Sequence, residues 1–201
     1  MSELTAPGNT ETITLIIACA VFKPALEHFQ LDKKYPNLQI TYLPSNLHMR
    51  PNKLRADMLR LIAQSKREKE KVICLYGDCF PDIETVCRRH GVIKIPGHHC
   101  YEMLLGTKTF NRIVEQTAGT FFMENDLITG FEEFCMKPLE LYDEEIRRYF
   151  FKNYEKLLYI RQPSDSDLIS KASEIAQLLG LSLEIEDADY SYLKKELTKY
   201  I

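Results

Sequence analysis

Short apolar runs alternate along this chain with longer segments whose apolar residues recur at helical spacing. Ile13 to Ala18, Gln39 to Leu43, Val72 to Tyr76, Val92 to Ile95 and Gly119 to Met123 read as strands, each bounded by turn residues. Between them lie helical segments. Pro24 to about Lys34 carries Leu26, Phe29 and Leu31, with Pro24 suited to a first turn. Asn52 to Glu70 sets Leu54, Met58, Leu61 and Ile62 on a charged background. Asp82 to His90 is closed by Gly91, and His98 to Leu105 and Lys108 to Gln116 follow. The C-terminal third continues the alternation: helix Glu144 to Lys156, strand Leu157 to Arg161, helix Ser166 to Leu179, strand Leu181 to Glu186, and a last helix from about Tyr190 to Lys199.

This pattern predicts a doubly wound, Rossmann-like α/β fold. It has a mostly parallel sheet with helices on both faces and a C-terminal αβαβα extension packed on or continuing that sheet. Residues 1–12 are polar, with Pro7 and Gly8, and are expected to form a disordered arm. Residues 13–201 are expected to make a single domain, with a sub-boundary near Pro138.

The 201 residues are enough to bury a full core without disulfides. A net charge of -3, with both signs interspersed, argues against a nucleic-acid surface. No apolar run reaches the length needed to span a bilayer. Leu15 to Cys19 mimics a lipoprotein box, but the region before it has no Lys or Arg and the run is short, so it reads as a strand. The expected compartment is the cytoplasm. Six cysteines there signify packing, metal or redox chemistry and not disulfides.

Ligands of open parallel sheets bind outside the carboxyl ends of the strands. Cys19 follows the first strand, His48 the second, Cys79 the third, and His98, His99 and Cys100 the fourth. If these strands are neighbours, the groups share one rim. Three thiols with His48, or His99 as its alternate, form a donor set suited to zinc, and three thiolates also hold iron–sulfur clusters. Glu27, Arg50, Tyr76, Asp78 and His98 are the candidates to support the ligands or contact a substrate. Cys74, Cys87 and Cys135 are assigned to packing. The chain has no GxSxG, Walker or GxGxxG motif.

Several ordered stretches carry a family resemblance. They are Ile17-Ala18-Cys19, Leu43-Pro44 with Leu47-His48 and Arg50-Pro51, Leu75-Tyr76-Gly77 with Cys79, Ile95-Pro96-Gly97-His98-His99-Cys100 with Leu104-Leu105-Gly106-Thr107, and Gly119-Thr120-Phe121. Over residues 13 to 200 the chain resembles the domain-of-unknown-function family sixteen-thirty-eight of methanogenic archaea and anaerobic bacteria. The pattern places the family's cysteines and histidine on Cys19, His48, Cys79 and Cys100. Phe80-Pro81 stands where that pattern carries glycine. The family's association with corrinoid methyltransferase genes implies a role in one-carbon metabolism and a corrinoid methyltransferase system as partner.

Three readings follow. The first is a metal-binding enzyme or accessory for methyl or thiol transfer. The second is a metal-free docking protein using the aromatic residues Tyr142, Tyr149, Phe150, Phe151, Tyr154 and Tyr159, whose plainer role is core packing. The third is an enzyme with one activated thiolate, Cys79 or Cys100.

Overall fold

The computed structural model describes residues 13–68 and 70–201; the arm expected at residues 1–12 lies outside them. Strands β1 (Thr14–Cys19), β2 (Leu38–Leu43), β3 (Lys71–Leu75) and β4 (Ile93–Lys94) form one sheet in the order β2-β1-β3-β4. All its pairings are parallel. Strands β5 (Thr120–Met123), β6 (Lys156–Arg161) and β7 (Ser182–Asp187) form a second parallel sheet. The fold is therefore α/β and Rossmann-like, as the alternation predicts. Of the two placements expected for the C-terminal portion, continuation of the first sheet is not the one found: its strands make their own sheet with β5.

Helices α1 (Lys23–Phe29), α2 (Leu31–Lys34), α3 (Pro51–Arg67), α4 (Ile83–Arg89), α5 (Cys100–Leu105) and α6 (Thr107–Gln116) belong to the first half. Helices α7 (Asn125–Thr129), α8 (Glu144–Phe151), α9 (Ile169–Leu179) and α10 (Ser191–Thr198) follow. Gln30, at a φ of 50°, splits the single helix expected from Pro24 to Lys34. A π-helical turn at Glu132–Met136, which periodicity does not mark, follows α7, and Pro138 falls in the turns after it. Helix α8 ends at Phe151 because Lys156 already begins β6.

Strand β6 joins the two halves. Its residues alternate between faces, as any strand's do. Leu157 and Tyr159 enter a core with Met123, Ile128, Leu141 and Ala172. Leu158 and Ile160 enter the larger core built on β1 and β3, together with Leu193 and Leu197 of α10. Tyr101 of α5 stacks on Phe122 of β5 with centroids 5.5 Å apart, and Phe110 of α6 meets the same ring at 5.3 Å. The sheets thus share apolar contacts on one side.

Ile160 is fully buried on the face that reaches the first core. Ile160→Ala is expected to lower unfolding stability by about 3 kcal/mol, read as a reduced urea midpoint. An unchanged midpoint would mean the two halves are not coupled through this face.

Candidate functional site

In the order β2-β1-β3-β4 the chain reverses direction across the sheet beside β1, and the crevice of such a sheet opens beyond the carboxyl ends there. A cavity of about 420 Å³ occupies that position. Its first wall comes from the turns after β1 to β4: Cys19, Val21, Phe22, Ser45, His48, Gly77, Asp78, Cys79, His98, His99 and Cys100. The opposite wall comes from Tyr101 and from the segment after β5: Glu124, Asp126, Leu127 and Phe134. All five residues singled out as ligands line this one cavity.

The turns after β3 and β4 are held together. The amide of Asp78 donates to the carbonyl of His98 at 2.8 Å. Asp78 Oδ2 accepts from His98 Nδ1 at 2.7 Å, and Asp78 Oδ1 lies 3.2 Å from Lys94 Nζ. Lys94 Nζ also donates to the carbonyl of Gly97 at 3.0 Å. A Cβ at Gly77 would lie 2.6 Å from the His98 carbonyl oxygen, so only glycine allows this approach. Glu102 anchors the second turn from below, accepting from the His98 amide and the Thr107 hydroxyl, both at 2.8 Å. Cys79 and Cys100 therefore sit on a paired, braced rim.

The imidazoles are oriented. His48 Nδ1 lies 2.7 Å from the carbonyl oxygen of Ser45. A carbonyl only accepts, so Nδ1 carries a proton, and in the neutral ring Nε2 is the nitrogen with the free lone pair. His98 is exposed and donates to Asp78 in the same way, which raises its pKa. Burial works against ionising Asp78, but its bonds from His98 and Lys94 keep the carboxyl below its ordinary value. His99 is exposed, with its ring 5.7 Å from that of Phe110.

The thiols are held in their neutral form. Burial pushes Cys19 up to about 12, against a backbone hydrogen bond at Val21. Burial also raises Cys79, aided by the charge of Asp78, and raises Cys100 well above its usual value. Tyr76 is buried behind Cys19; its hydroxyl faces the Cys19 thiol and lies 3.5 Å from the carbonyl of Leu43. Tyr76 thus backs the site without lining it. Glu27 and Arg50 are exposed and do not line the cavity; Glu27 sits 3.8 Å from Lys23. Phe80 is buried in the core, and with Pro81 it borders a neighbouring groove on the far side of Cys79. Neither Phe80 nor Pro81 lines the cavity. Among the described residues, no three of the His, Cys, Asp and Glu side chains are already arranged to hold a metal ion. No helix among them is long and apolar enough to cross a membrane.

Sequence reasoning missed Glu124 and Asp126. The segment 124–136 lacks helical periodicity, and the second wall depends on where the second sheet sits. Glu124 is 4 % exposed and caps α7, accepting from the amides of Asp126 at 2.8 Å and Leu127 at 3.1 Å. Burial, outweighing those bonds, pushes its carboxyl up to about 8.

A carboxyl whose pKa is 4.5 unfolded and about 8 folded binds more protons when folded between those values. Its contribution to stability is complete below pH 4.5 and is lost as pH rises toward 8, by roughly 1 kcal/mol per pH unit. Urea denaturation at pH 5 and 7.5 is expected to show this decline in the wild type and a flatter profile in Glu124→Gln. Identical slopes would place the Glu124 pKa near its ordinary value.

The family model described as "Protein of unknown function (DUF1638)" matches residues 42–197, a span that contains every candidate ligand except Cys19. No curated protein and no solved structure matches the chain.

Proposed function

The chain belongs to that family of unknown function, and from this premise we propose that the cavity is a reaction site in which a thiophilic metal ion, zinc or the iron of a cluster, acts beside a small substrate. Cys19, Cys79 and Cys100 are the ligands, with His48 as the fourth and His99 as its alternate. The observation that carries this reading is that three thiols, at or beyond the carboxyl ends of three strands, line one cavity together with an imidazole whose Nδ1 donates to the Ser45 carbonyl. The donor chemistry fits a soft ion. At about 420 Å³ the cavity is far larger than one ion needs and lies in the range of small-molecule sites.

When bound, such an ion would stabilise the thiols as thiolates and polarise or activate a substrate thiol or water. The residues of this chain do the rest. Ser45 holds His48 in one tautomer, and Tyr76 backs Cys19. The bonds among Asp78, Lys94 and His98 hold the turns bearing Cys79 and Cys100 side by side. Phe22, Leu127 and Phe134 give the cavity an apolar lining. Cys79 and Cys100 are only partly buried, so their side chains have room to turn toward a common centre. Methyl or thiol transfer, as the family's corrinoid association implies, is the reaction class that suits thiolates beside an apolar pocket. A metal-free enzyme using one thiolate is less favoured, because burial raises the pKa of all three cysteines.

Protein purified without oxygen is expected to hold about one equivalent of metal per chain by mass spectrometry. Cys79→Ala is expected to reduce this at least tenfold while remaining folded. Colourless protein with zinc would direct the search to thiol or methyl transfer; a visible charge-transfer band with iron would point to a cluster. Metal-free wild type, even after incubation with zinc, would end this reading.

A docking role is the second reading, and a specific observation favours it. Tyr142, Tyr149 and Phe150 are exposed, at 59 %, 71 % and 45 %, on and beside α8. Phe151 and Tyr159 from the same expected stripe are buried in the second core, and Phe151 packs edge-on to Phe121. If this face binds a corrinoid protein, the two should co-elute in gel filtration. Tyr149→Ala should abolish the complex, and Cys79→Ala should leave it intact.

A further inference from the structure

The acids around the cavity are not equally partnered. Asp78 is paired with Lys94 at 3.2 Å and with His98 at 2.7 Å. Glu124 spends both oxygens on the amides of α7 and is held largely protonated by burial. Asp126 differs. It lines the cavity and is partly buried, and among the described residues its carboxylate takes part in no hydrogen bond or ion pair. No Lys or Arg is among the residues that line the cavity. Beside Asp126 stand Leu127 and Phe134, and Phe22 and Tyr101 line the same space.

Resting on the reading of this cavity as a small-molecule site, we infer that its substrate is a small organic cation, an ammonium group on a compact apolar body, with Asp126 as the residue that recognises the charge. A carboxylate that lines a cavity and has no protein partner is free to pair with a ligand that supplies the opposite charge. Aromatic walls add attraction for a cation through their π faces. Anionic substrates meet the reverse: a carboxylate and no fixed lysine or arginine to receive them. Soft-metal binding by the thiols leaves this argument unchanged, since three thiolates with one divalent ion add negative charge to the cavity.

The test uses three probes of equal chain length: butylammonium, butyramide and butyrate. Binding is read by NMR shift titration of the full chain, with and without added zinc. Butylammonium is expected to bind at least about tenfold more tightly than butyramide, with butyrate weaker still. Asp126→Asn keeps the shape and removes the charge, so the preference should fall to within about threefold, with the melting temperature unchanged. Asp126→Ser serves as a second variant with the same expectation. Butyrate or butyramide binding as well as the cation, an undiminished preference in both variants, or no butylammonium binding up to about 50 mM would each overturn the inference. Metal content separates this outcome from the metal reading. A metal-free protein that still prefers the cation sinks only the metal, and a metalloprotein without the preference sinks only the cation.

Discussion

Everything in this fold depends on β6 being buried on both faces. A strand of a two-layer protein buries one face; a strand at the centre of two cores buries both and reads as a continuous apolar run. Leu157-Leu158-Tyr159-Ile160 is such a run. Its odd residues close the core of the second sheet, and its even residues close the core of the first. Because the second sheet is fixed to the first through that face and through α10, the segment leaving β5 is brought opposite the turns leaving β1, β3 and β4. The cavity exists because two carboxyl-end rims face each other.

The two walls are built differently. The first is polar and braced: an amide, a carboxylate and a lysine tie the turn after β3 to the turn after β4, and Glu102 supports the second turn from below. The second wall is formed by Tyr101, the start of α7 and Phe134, with an acid at the N-cap of α7 and another in its first turn. One of them, Glu124, satisfies the helix's own amides; the other, Asp126, is left facing the cavity. Thiols and imidazoles stand on the rigid side, and charge selection falls to the other. A substrate entering between them would have its reacting group presented to the braced donors while its charge is read from across the gap.

Much of this was legible before any coordinates. Cys19, Cys79 and Cys100 could be placed on one rim because parallel strands end on one side, and the strand runs are short, apolar and bounded by Gly and Pro. That argument needs only topology, and it placed the three thiols along the cavity. It could not give Asp126 or Glu124, because nothing in Glu124-Asn125-Asp126 distinguishes acids at a cavity from acids at a solvated helix start. Glu27 and Arg50 neighbour the rim in sequence but are exposed outside the cavity lining. The two-sheet arrangement was hidden for a related reason. A βαβ alternation is the same whether the next strand joins the first sheet or starts another, and only the facing of β6 decides. The aromatic tail divided for the same cause: Phe151 and Tyr159 point into the second core, whereas Tyr149 and Phe150 share α8 with Phe151 but lie on its outer side.

The protonation of the thiols follows from the same closure. In a solvated loop each cysteine would titrate near its ordinary value; enclosed between two sheets, each is driven toward the neutral form by burial, with the charge of Asp78 adding to it at Cys79. Burial penalises uncompensated charge of either sign there, so a charge that enters must be paired. An ion that draws protons from the thiols and a cationic substrate that pairs with Asp126 answer the same electrostatic demand at two ends of one space. The fold therefore sets the chemistry of the cavity less by any single motif than by bringing acids, thiols and imidazoles together on facing rims.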